Sequence, residues 1–84
     1  MIKPLGDRIL LEVIEKKGKD EFEPSKGKVI AIGPDVKALF VQASDRTNRY
    51  LMVDDIVIYD ARFGGDVVGK NLIIIREGSA LAIE

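Results

Sequence analysis

Between residues 8 and 14 the chain reads Arg-Ile-Leu-Leu-Glu-Val-Ile, and this run sets what the rest can become. Ile9, Leu11 and Val13 fall on one face of an extended chain, and Leu10, Glu12 and Ile14 on the other. Period-two spacing of branched apolar residues marks a half-buried strand. Lys3-Pro4-Leu5-Gly6-Asp7 leads into it through a rigid Pro and a turn-permitting Gly. A strand needs neighbours for its backbone groups, so other short strands must flank it, from this chain or from a copy.

The candidates follow in order. Val29-Ile30-Ala31-Ile32 is a second strand, closed by the turn signal Gly33-Pro34-Asp35. Ile56-Val57-Ile58-Tyr59 and Leu72-Ile73-Ile74-Ile75 are unbroken apolar runs suited to buried strands. Val53-Asp54-Asp55 turns into the first of them, residues 60–66 form a further turn region, and Glu77-Gly78-Ser79 turns into Leu81-Ala82-Ile83. Residues 36–52 read two ways. Residues 36–43 have the propensity for a helical turn, but a β-hairpin is preferred, with residues 44–48 as its turn and Arg49-Tyr50-Leu51-Met52 returning. Short strands punctuated by turns, without a convincing amphipathic helix, predict a small all-β barrel. Residues 1–84 form one domain, with no repeat and no linker.

Eighty-four residues bury only a small core, and small domains add disulfides, metal or oligomerisation. With no Cys and no His, oligomerisation is the support that remains. Thirteen basic against fourteen acidic residues leave a formal charge of −1, which argues against a nucleic-acid binder. No apolar run reaches membrane-spanning length and the N-terminus has no signal-peptide pattern, so a soluble cytoplasmic protein is expected, with no membrane partner. Residues 15–28 break the strand pattern with Lys, Glu, Asp, Gly and Pro, a composition that predicts an exposed, mobile loop. Phe22 is its one large apolar residue. It either folds back onto the barrel as a lid or serves as a binding anchor.

Enzyme chemistry finds little support. Asp54 and Asp55 are adjacent, so on a strand they diverge; with Asp60 and Asp66 they could hold a cation only if two loops met, and solvated turn residues are the simpler reading. Neither a metal site nor a catalytic residue is expected. Gly64-Gly65-Asp66-Val67-Val68-Gly69-Lys70-Asn71 has the Gly and Lys spacing of a phosphate-binding loop. It lacks the following Ser or Thr, and an apolar strand follows where a helix is needed. Phe40, Arg46, Arg49, Tyr50, Arg62 and Phe63 have the mixture that small barrels use to stack single-stranded nucleic acid. With balanced charge, the preferred reading places the aromatics in the core and the arginines on hairpin tips.

Four blocks together resemble the GroES-type co-chaperonins (chaperonin-10). Lys3-Pro4-Leu5-Gly6-Asp7-Arg8-Ile9-Leu10 is similar to that family's opening. Gly27-Lys28-Val29-Ile30-Ala31-Ile32-Gly33-Pro34 resembles its second strand and closing Gly, and Leu81-Ala82-Ile83 its C-terminal strand. Val53-Asp54-Asp55-Ile56-Val57-Ile58-Tyr59 resembles its Val-Gly-Asp-Ile-Val turn and strand, with Asp54 in place of Gly. The resemblance implies a GroES-like β-barrel whose subunits form a ring, usually heptameric, that caps a chaperonin and encloses a folding chamber. The chaperonin, not this chain, would bind the nucleotide, so no cofactor is expected here. It also implies a subunit interface in which Ile2, Lys3, Pro4 and Leu5 of one copy lie against Leu81, Ala82 and Ile83 of the next. Exposed edge strands at both ends agree with that. A roof hairpin would fall in residues 36–52, with Asp45, Arg46, Asn48 and Arg49 near the ring axis. Chaperonin binding would fall to the loop, at Lys19, Asp20, Glu21, Phe22, Glu23 and Pro24. The departure lies here, because the loop is short and lacks the family's apolar triplet, leaving Phe22 to act through many copies. Three readings result: a co-chaperonin with an unusual loop, a ring-forming module without chaperonin binding, and a small nucleic-acid-binding barrel.

Overall fold

A computed structural model describes residues 3–15, 25–60 and 65–84. The described residues form eight strands: β1 (Arg8–Glu15), β2 (Ser25–Ile32), β3 (Leu39–Val41), β4 (Asn48–Tyr50), β5 (Ile56–Tyr59), β6 (Gly65–Gly69), β7 (Leu72–Arg76) and β8 (Ala80–Ile83). A 3-10 turn, Glu77–Ser79, joins the last two. Six strands form one antiparallel sheet in the order β6-β7-β1-β2-β5-β8, and β3 and β4 pair as a separate hairpin. The chain is therefore all-β, as expected, and β1 sits near the middle of its sheet.

The inward face carries the alternation read from the sequence. Ile9 and Leu11 from β1, Val29, Val57, Tyr59, Ile73, Ile75 and Ile83 are all buried in one cluster, with Val13 packed against it. Phe40 and Leu51 reach into that cluster from either side of the β3–β4 hairpin. Burial of each large aliphatic side chain contributes about 1.5–3 kcal/mol. Leu10, placed by alternation on the face away from the core, is also buried at 2% exposure, whereas Ile14 on that face is exposed. A bulge in the β1–β2 ladder, where Leu10 pairs with Ala31 but Leu11 with Val29, keeps the inward residues in phase across the extra residue Ile30.

Several expected boundaries move. β2 starts at Ser25, so residues 25–28, read as loop, are strand paired with β5 from Tyr59 to Ile56. Glu15 likewise belongs to β1. The hairpin within residues 36–52 forms as preferred over a helical turn, but each strand is only three residues long. Within the stretch that has phosphate-loop spacing, Gly65–Gly69 form β6, and Lys70 and Asn71 turn the chain into β7. Asn71 adopts φ 61°, the left-handed conformation that Asn tolerates in tight turns.

Gly33 shows why the opening segment and the end of β2 belong together. Its N–H donates to the Arg8 carbonyl at 2.8 Å, and the Asp35 N–H donates to Gly6 at 2.9 Å. A side chain on Gly33 would overlap the Gly6 and Arg8 carbonyl oxygens, so only Gly permits this backbone crossing.

Candidate functional site

The described part of the candidate site is the β3–β4 hairpin and the β8 edge beside it. The hairpin is tied down at three places. At its start, the Glu77 carboxylate accepts hydrogen bonds from the backbone N–H groups of Lys37 (2.9 Å) and Ala38 (3.3 Å). At its end, Asp55 accepts from the Met52 N–H at 2.7 Å and grips Arg49 with two bonds of 2.8 Å. Arg49 Nε also donates to Gln42 Oε1 across the hairpin at 2.9 Å. Along its side, the Ala43 N–H donates to the Ile83 carbonyl of β8 at 2.7 Å.

These contacts shape the local electrostatics. The Arg49 guanidinium and the Met52 N–H hold the Asp55 carboxyl below the ordinary carboxylate range, against the opposing effect of its partial burial. Asp45 closes the hairpin turn by accepting from the Thr47 hydroxyl (2.7 Å) and backbone N–H (3.1 Å), and those bonds lower its pKa too. Arg46 takes φ 60° in the same turn.

The expected roof residues therefore divide. Asp45, Arg46 and Asn48 are exposed at or beside the turn, whereas Arg49 is half-buried and committed to Asp55. The placement of the aromatics in the core is right for Phe40 and wrong for Tyr50, which pairs with Leu39 on the outward face and is 63% exposed. Nor does Arg49 sit on a tip, because its partner Phe40 is on the core side and its guanidinium turns to the β4–β5 connection. Arg62 and Phe63 lie outside the described residues.

Lys3, Pro4 and Leu5 are not in a strand; Pro4 is buried and Leu5 is 70% exposed. On β8, Ala82 pairs with Ile58 and Ile83 with Val57, Ile83 is in the core, and Leu81 is 54% exposed. Ile2 and the loop residues Lys19, Asp20, Glu21, Phe22, Glu23 and Pro24 lie outside the described residues. Asp54 reaches Lys28 at 3.5 Å, and no group of three metal-binding side chains gathers among the described residues. No helix among them is long and apolar enough to cross a membrane. Sequence reasoning missed Glu77, assigned only to a turn; its carboxylate at the start of that turn reaches a segment 40 residues away in the chain.

No family model matches the chain. A protein of an Exiguobacterium species named Co-chaperonin GroES is 35% identical to it, over 99% of this chain and 98% of that protein. The chain belongs to the GroES co-chaperonin family. Further GroES relatives, from Geobacillus stearothermophilus and a Bacillus species, are 33% and 34% identical over the same shares. These comparisons extend over 95 positions against the 84 residues here, so the GroES relatives carry residues that this chain lacks.

Proposed function

We propose that this chain is a co-chaperonin subunit whose ring caps a chaperonin in a nucleotide-dependent way and encloses a folding chamber. The observation that carries the reading is the 35% identity, across nearly the whole of both chains, to a protein named Co-chaperonin GroES. The ring is homo-oligomeric and heptameric, and the protein acts in the cytoplasm without catalysing a reaction. Nucleotide binds to the chaperonin and not to this chain; neither nucleic acid nor membrane is a partner.

Ile2 to Leu5 of one subunit pair with Leu81 to Ile83 of the next. Two features support that: Leu5 and Leu81 are exposed apolar residues, and β8 is an end strand of its sheet, met on its outer side by the hairpin at its Ile83 end. The single domain carries the roof hairpin within residues 36–52 and a mobile chaperonin-binding loop between β1 and β2. In that loop Lys19 to Pro24 flank Phe22, the anchor. A lone aromatic binds weakly, and repeated copies in a ring recover affinity by raising the effective concentration. Asp45, Arg46 and Asn48 face the ring axis.

Analytical ultracentrifugation of the protein alone, then with a chaperonin and ATP or ADP, tests the reading. A ring that joins the chaperonin only when nucleotide is present is expected. A ring that never joins it would overturn the reading and leave a structural module.

A further inference from the structure

Leu39, Val41 and Tyr50 are 55%, 45% and 63% exposed, and all three lie on the outward face of the β3–β4 hairpin. Their common face follows from the register, since Leu39 pairs with Tyr50 and Val41 with Asn48, while the alternate residue Phe40 enters the core. No charged residue belongs to this face; Asp45 and Arg46 stand beyond it at the turn.

We propose that this face is a second contact between neighbouring copies of the chain, packed against the next subunit beside the β8 edge. The inference rests on the ring reading and adds to it a surface that strand pairing at the chain ends does not include.

Three observations select a second copy as the occupant. The first is position: the Ala43–Ile83 hydrogen bond and the parallel bridge between Gln42 and Ile83 lay β3 along β8, and counting back along both strands brings Val41 level with Ala82. The outward hairpin face therefore continues directly from the strand assigned to the inter-subunit edge. The second is area. β8 has four residues, a length of about 13 Å at 3.3 Å per residue. Edge pairing over that length covers far less than the roughly 800 Å² per partner of a stable interface. More surface must close, and the adjoining uncharged face can do so without burying a charge. The third is rigidity: Glu77, Asp55 and Ile83 hold the hairpin at its start, end and side, so little ordering cost opposes docking.

Sedimentation velocity over a concentration series tests the proposal on the full chain carrying both Val41→Ser and Tyr50→Ser. The double variant should keep the far-ultraviolet circular dichroism of the wild type and need at least tenfold more protein to assemble. Leu39→Ser alone should shift assembly in the same direction, which keeps the test alive if the double variant does not fold. A double variant that assembles at the wild-type concentration overturns the proposal alone. A wild-type chain that stays monomeric overturns the ring reading and the proposal together. Unchanged assembly with lost chaperonin capture assigns the face to the chaperonin and also overturns it.

Discussion

Two residues show how backbone conformation limits sequence here. Asp54 adopts φ 77° at a position where the family pattern places Gly. A residue with a Cβ pays about 1 kcal/mol or more in this left-handed region, and the exposed ion pair to Lys28 offsets little of it. Asp54→Gly should therefore stabilise the fold by about 0.5–1 kcal/mol, read as a higher denaturant midpoint with an unchanged slope. Gly33 is the opposite case, because a methyl group there meets fixed backbone oxygens from Gly6 and Arg8 rather than a side chain that can move. Gly33→Ala should cost about 2–3 kcal/mol, visible in the same denaturation experiment. The sequence marked Gly33 only as a turn residue; the reason it must be Gly is a contact with residues 25 or more positions earlier, which no local pattern carries.

At the scale of the elements, the hairpin depends on ion pairing that responds to acid. Asp55 has a folded-state pKa below its unfolded value, so its contribution is present above the unfolded pKa and disappears as pH falls through the folded one. Wild-type stability should drop below about pH 4. Asp55→Asn should be less stable at neutral pH and should lose less on acidification, a difference that thermal unfolding between pH 2 and 7 will show. The strands most legible in the sequence were those buried most completely. Ile56–Tyr59 and residues 72–75 show themselves as apolar runs because the inward Val57, Ile73 and Ile75 are buried and their alternate neighbours Ile56, Ile58, Leu72 and Ile74 are largely covered too. β6 escaped notice because Gly-Asp-Val-Val-Gly has the composition of a turn, and only its ladder with β7 makes it a strand. Ser25–Lys28 failed for the same reason: their polar side chains hide a backbone that β5 keeps extended. Tyr50 misled because an aromatic residue in a short hairpin is as good an interface residue as a core residue.

For the whole molecule, the site was legible through order and spacing of blocks rather than through any chemistry, since neither His nor Cys is present to announce a reaction. The grip on the chaperonin is the part that rests on the fewest residues. Phe22→Asp should leave ring assembly as in the wild type and reduce capture by at least tenfold, because a charge would replace the proposed anchor in every subunit at once. Unchanged capture in a pull-down with nucleotide would refute Phe22 as the anchor.

The place of β1 in the sheet has a further consequence. It is bordered by β2, next in the chain, and by β7, whose Arg76 pairs with Arg8 from the far end of the sequence. Closing so long a span slows folding toward the millisecond-to-second range of nonlocal β topologies, roughly. Until β7 arrives, one side of β1 is a bare template for any extended chain nearby. Refolding yield should therefore fall as protein concentration rises, so the concentration that favours the ring also favours misassembly in chains that have not yet closed their sheet.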